Sequence, residues 1–183
     1  PELPSVRFER FVKELGLSED DAYILTETRP LADYFESCIS NLNDPKAVSN
    51  VILTEVLRVL NDKSFGIEEF TITPERLTAL ISLKQDDKIS SSAMQTIFNE
   101  MLDKDIEPLK LAEELNLLQV SDSGFLEDII DEIIQANPDE VQRYKEGKKA
   151  LMGFFIGQVM KQSKGNANPK LATDIVTKKL ENG

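Results

Sequence analysis

The chain has 183 residues, 40 % apolar and 30 % charged, with a net charge of −12; that suits one or two domains with a real core rather than a disordered chain. It has no histidine and a single cysteine, which removes the commonest general base, any Ser-His-Asp or Cys-His arrangement, a Cys/His zinc site and an intrachain disulfide. The longest apolar run, residues 150–156 interrupted by Gly153, is far shorter than the roughly 20 residues of a membrane span.

In chain order, Phe8, Phe11, Val12 and Leu15 fall at helical spacing, and Gly16 can close that helix in a left-handed conformation. Ser18 then reads as an N-cap with Asp21 three residues on, opening a short helix with Tyr23, Ile24 and Leu25 inward. Pro30 restarts the chain, and Leu31, Tyr34, Phe35, Cys38 and Ile39 form the next stripe. Cys38 on that stripe reads as a small buried hydrophobe rather than a nucleophile. Asp44-Pro45 caps and opens a run of about four turns carrying Val48, Val51, Ile52, Val56, Val59 and Leu60.

Thr73-Pro74 repeats the device before Leu77, Leu80 and Ile81. Ser90 opens a helix with Met94, Ile97, Phe98, Met101 and Leu102 inward, and Pro108 one with Leu109, Ala112 and Leu115 inward. Strand alternation is absent except for a short piece at 70–72. The expected class is all-α.

Ser121-Asp122-Ser123-Gly124 breaks the pattern, which places a domain boundary near residue 118: a helical domain over 1–117 and a tail domain over 118–183. The tail begins with an acidic helix, 125–136, burying Leu126, Ile129, Ile130, Ile133 and Ile134. Ala-Asn-Pro occurs at 136–138 and again at 167–169, each Asn expected to cap a new helix with Pro in its first turn. Three or four helices in about 65 residues make a small core, expected to be less stable than the body and mobile relative to it.

Charge changes sign along the chain. Residues 1–140 carry a net −18 and residues 141–183 a net +6, nine Lys/Arg against three Asp/Glu. A basic end on an acidic body implies a local anionic partner rather than a whole-surface field. Within it, Met152, Phe155, Ile156, Val159 and Met160 share one helix face. Gly153 and Gly157, costing roughly 1 kcal/mol each in a helix, imply a close helix crossing or a surface that a ligand's backbone approaches. Gly165 is the expected left-handed stop, and Pro169 starts a last helix burying Leu171, Ile175, Val176 and Leu180. Lys164 and Lys170 then flank a turn whose backbone N–H groups form a ready anion site. Lys148, Lys149 and Lys161 add charge near the ends of the preceding helix. These residues alone leave two readings open: phosphate contact, or a solvated basic surface that complements helix dipoles.

The run GKKALMGFFIGQVMKQSKGNANPKLATDIVTKKL resembles the C-terminal signature of the B subunits of tRNA-dependent amidotransferases, shared with YqeY-like proteins. The opening PELPSVRFERFVKELGLSEDDAYILT, ADYFE at 32–36 and LLQVSD at 117–122 agree with it. The resemblance implies the C-terminal part of such a protein, a helical domain plus a YqeY-like tail, excised from after a catalytic cradle; the start at Pro1 reads the same way. It implies that this part grips tRNA, mostly at its outer corner and by shape. The missing cradle would amidate Asp-tRNA(Asn) or Glu-tRNA(Gln) using ATP, magnesium and glutamine-derived ammonia. Partners would be tRNA and the A and C subunits, with no membrane and no DNA, in the cytoplasm, where a lone cysteine also fits. No catalytic residue, cofactor or metal is expected in this piece.

Carried onto matching positions, Lys148, Lys161, Gly165, Asn168, Pro169 and Lys170 belong to the family pattern; Lys148, Lys161, Lys164 and Lys170 are the tRNA-contact candidates, with Gly165, Asn168 and Pro169 as structural turn and caps. Relatives often have lysine where this chain has Ser92, Gln95 and Ala150, which makes the body a doubtful phosphate binder and a better spacer. Two rival readings stand beside this one. The first is a protein-docking module for sister subunits or a synthetase. The second is a hydrolase using Glu68/Glu69 or Asp86/Asp87, pairs that on polar connectors are ordinarily just solvated.

Overall fold

The computed structural model describes residues 2–120 and 123–183. These are helical nearly throughout, with no strand beyond one isolated bridge. The chain divides into two compact units, Pro1–Gln85 with Ser91–Leu111, and Asp86–Ser90 with Ala112–Gly183.

In the first unit, α1 (Pro4–Lys13) is followed by α2 (Glu19–Thr26) and α3 (Arg29–Asn41). Gly16 takes φ +68° between the first two, and the Ser18 hydroxyl accepts from the Asp21 N–H at 3.1 Å. Thr28, not singled out beforehand, caps α3 through the Leu31 N–H. Phe11 and Phe35 are fully buried and meet with ring centroids 5.0 Å apart. Arg7 pairs with Asp33 and Glu36, and Arg10 with Glu2 and Glu36, so guanidiniums tie α1 to α3 at the rim of that contact. Burial of Cys38 on α3 pushes its thiol up to about 12, a protonated and inert side chain at neutral pH.

The long run forms as α4 (Pro45–Val51) and α5 (Leu57–Lys63) joined without interruption by a π-helical turn, Ile52–Val56. The apolar residues 48, 52, 56 and 60 recur every four positions and would drift around an α-helix of 3.6 residues per turn. One wider turn pulls the stripe back, and all six apolar residues named for this run are buried. The rest of the unit is a 3₁₀ turn at Ile67–Glu69, α6 (Pro74–Gln85), α7 (Ser91–Asp103) and the start of α8 (Pro108–Glu114). Buried Arg76 on α6 donates to the Lys104 and Ile106 carbonyls at 2.7 and 2.8 Å, fixing the α7–α8 loop.

Three expectations are corrected here. Tyr23 is 69 % exposed and Ile24 36 %; α2 buries Leu25 as expected, together with Ala22. On α8, Leu109 and Leu115 are exposed, and Leu111 and Ala112 are buried. Residues 70–72 are not a strand: the Ile72 carbonyl accepts from the Tyr34 hydroxyl at 2.8 Å, and Phe70 lies edge-on to Tyr34.

The second unit contains α9 (Ser123–Ala136), α10 (Pro138–Lys145), a 3₁₀ turn at Lys149–Leu151, α11 (Met152–Gln162) and α12 (Pro169–Asn182). Residues 121 and 122 of the expected break lie outside the described residues, while Ser123 and Gly124 already belong to α9. Leu126, Ile129, Ile130 and Ile133 of α9 meet Phe155 and Val159 of α11 and Ala172, Val176 and Leu180 of α12 in one core. Tyr144 of α10 closes it, edge-on to Phe155 at 6.3 Å.

Candidate nucleic-acid interface

The basic segment runs from the end of α10 to α12. Lys148, Lys161, Lys164 and Lys170 are all exposed, and none makes an ion pair within the described residues. Lys161 and Lys164 sit at the C-terminal end of α11, Lys170 is the second residue of α12, and Lys148 immediately precedes the 3₁₀ turn leading into α11. Lys161, Lys164 and Lys170 thus gather around the α11–α12 turn; Lys148 lies beyond the other end of α11, whose 11 residues span about 16 Å at 1.5 Å per residue. Lys149, also exposed, lies 4.1 Å over the Tyr144 ring. Lys179 is engaged differently: its ammonium donates to Asp131 at 2.7 Å, and that hydrogen bond raises its pKa.

The turn accounts for every backbone donor from 163 to 172. The Ser163, Lys164, Gly165 and Asn166 N–H groups go to the Val159, Lys161, Met160 and Ser163 carbonyls. Ala167 N–H donates to the buried Ser163 hydroxyl at 3.1 Å, and Asn168 N–H to the Val120 carbonyl at 3.2 Å. Pro169 has no N–H; Lys170 and Leu171 both donate to the Asn168 side-chain oxygen, at 3.0 and 3.3 Å. Ala172 N–H returns to the Asn168 carbonyl at 2.9 Å. The expected anion cradle of free backbone amides is therefore not there. The Asn168 cap consumes those donors, and an anion at this turn has ammonium groups to meet, not peptide N–H groups.

Gly165 has φ +79°, and Lys164 joins it in the left-handed region at φ +55°. A non-glycine residue there costs roughly 1–2 kcal/mol. The two Ala-Asn-Pro triplets behave differently. Asn137 makes no side-chain cap to α10; its amide donates back to the Ile133 carbonyl at 2.8 Å, closing α9.

Gly153 and Gly157 lie exposed on one strip of α11, and a Cβ built at either meets nothing within 4 Å. Among the described residues no helix packs closely on that strip, which corrects the expectation of a close crossing. Neither glycine has positive φ, so replacing both with alanine should stabilise the unit by about 1–2 kcal/mol. A rise in melting temperature checks this; a fall would mean that α11 is not a regular helix at these positions.

Among the described residues no group of three or more Asp, Glu or Cys side chains is placed to hold a metal ion. Glu68, Glu69, Asp86 and Asp87 are exposed. No described helix is long and apolar enough to cross a membrane. Ser163 and Val120, which hold the turn, were not singled out from the sequence.

A family model described as the GatB domain matches residues 33–180. The chain belongs to the GatB domain family. Over 99 % of its length it is 46 % identical to the B subunit of the aspartyl/glutamyl-tRNA(Asn/Gln) amidotransferase of Chlorobium chlorochromatii. It is 45 % identical to the protein of that name in Geobacter sulfurreducens and 42 % to that in Thermotoga maritima, again over 99 % of its length. This GatB-domain chain spans 38 % of the length of each of these relatives.

Proposed function

We propose that this chain is the tRNA-gripping part of an amidotransferase B subunit, holding Asp-tRNA(Asn) or Glu-tRNA(Gln) for transamidation carried out elsewhere in the assembled enzyme. The reading rests on family membership and on one feature of the basic segment. Lysines complement a helix dipole at C-termini, as Lys161 does on α11 and as Lys148 does just past α10, where its N–H donates to the Arg143 carbonyl, but Lys170 stands in the first turn of α12, where positive charge is disfavoured. The solvated-surface reading leaves Lys170 unexplained; contact with phosphates accounts for all four.

In this reading Lys148, Lys161, Lys164 and Lys170 act as point charges on phosphates, Gly165, Asn168 and Pro169 shape the turn, and the acidic first unit repels RNA approaching elsewhere. ATP and magnesium act in the catalytic part of the full-length protein, and the A and C subunits complete the enzyme, as the resemblance implies; no step of that chemistry is assigned to residues of this chain. The protein-docking alternative has its own observation, the exposed Leu3 just before α1, Val6 on α1 and Tyr23 on α2. Salt separates the two. With three or four phosphate contacts, log K for tRNA should fall with log[salt] at a slope of about −2 to −3.5. A flat salt response, together with salt-insensitive capture of a sister subunit, would replace this reading by the docking one.

A further inference from the structure

Resting on that reading, we infer that Val120 is a positioning residue: its main chain clamps the lysine-bearing turn in place. Residues 119 and 120 follow Asn116, which turns the chain out of α8 with φ +55°. Val120 N–H donates to the Asn166 carbonyl, and Asn168 N–H donates to the Val120 carbonyl at 3.2 Å. Together these make a parallel bridge centred on Ala167. The preceding N–H, of Gln119, faces the other way and donates to the Lys88 carbonyl at 2.7 Å, as alternation along an extended segment requires. The segment is thus held on both edges.

The bridge grips the two residues that matter for placing charge. Asn166 follows Lys164 and Gly165, both left-handed, and Asn168 supplies the cap whose side-chain oxygen receives the Lys170 N–H. Ala167 between them is fully buried in the unit's core, with its own N–H on Ser163. Cap, core and bridge therefore fix the backbone on either side of the turn, and the lysine stems start from set points. Without the bridge, the left-handed pair at 164 and 165 has only local hydrogen bonds to hold it, and the spacing between the Lys164 and Lys170 stems is free to vary. Preorganised charges bind phosphates at a smaller entropic cost than mobile ones.

The test uses Val120→Pro, which deletes the donor to Asn166, and Val120→Ala, which keeps the main chain, both in the intact protein. Binding of a tRNA(Asn) transcript is followed by anisotropy across a salt series. Val120→Pro should lower the magnitude of the salt slope by about one to two and the affinity at ~0.15 M salt about 5- to 20-fold, as for the loss of one or two phosphate contacts. Val120→Ala should restore the wild-type slope. A folded Val120→Pro protein of lower melting temperature but unchanged slope overturns the inference, because destabilisation alone does not alter the number of phosphates met. Where Val120→Pro does not fold, amide exchange in the unmodified protein decides: Val120 and Asn168 should be protected about 100-fold or more, and exchange at the rate of free amides overturns the clamp. The Lys161→Ala/Lys164→Ala/Lys170→Ala variant separates the two levels. If it leaves the slope unchanged, the tRNA reading itself fails; if it lowers the slope while Val120→Pro does not, only the clamp fails.

Discussion

Replacing Lys161, Lys164 and Lys170 together with alanine is expected to weaken tRNA binding on the order of 100-fold at ~0.15 M salt. The magnitude follows from counterion release. Each phosphate neutralised contributes about the salt concentration to the power −0.7 to −0.9, a factor of roughly 4 to 5 at that ionic strength, and three contacts multiply. The effect should shrink as salt is raised, with the slope falling by about two to three. All three side chains are exposed and free of ion pairs within the described residues, so the substitutions remove charge without opening the core. The fold should survive, with the helical signal and melting temperature close to the parent's. In the assembled enzyme, glutamine hydrolysis without tRNA should be nearly unchanged. Unaltered tRNA affinity in this variant would remove the assignment of the basic segment.

Phe155→Ala should unfold the second unit. Phe155 is fully buried between Tyr144 and Phe154, where α9, α11 and α12 converge. Truncating such a ring costs about 3–5 kcal/mol through lost burial and the cavity left behind. A core of this size supplies little more than ~3–5 kcal/mol in total. Hydrogen exchange should therefore show the loss of protection across 123–182, together with loss of tRNA binding. Phe155→Leu keeps most of the volume and should cost about 1–1.5 kcal/mol, leaving the unit folded. Retained protection in Phe155→Ala would mean that the unit draws its stability from elsewhere.

The contrast between elements says what kind of information the sequence holds. Ser18, Asp44 and Asn168 could be identified as caps because the hydrogen bond spans two or three residues and needs only a short polar side chain ahead of a helix. Long stripes such as that of the α4–α5 run are also readable, since many turns fix the phase. α2 has eight residues, and a face assigned from two turns can be rotated by one position without breaking any pattern; the pattern therefore puts Tyr23 inward where Ala22 lies. Asn137 and Asn168 share the same neighbours, yet one amide closes a helix and the other opens one, which depends on the backbone angle of arrival rather than on residue type. The Val120 bridge leaves no trace in composition or period, because a single pair of residues about 45 positions apart is set by tertiary packing. Of the basic segment, the identity of the lysines was readable; whether the peptide groups between them were free to help was not.

The α11–α12 turn, whose peptide donors are all spoken for, meets a polyanion chiefly with lysine ammonium groups on four-carbon stems. Such groups are compact charges with no fixed approach plane, unlike the planar fork of arginine. They follow a curved chain of phosphates without testing which bases it carries. Under the proposed function, that indifference lets one handle carry two different cargoes, and it leaves the choice between them to whatever inspects the aminoacyl end.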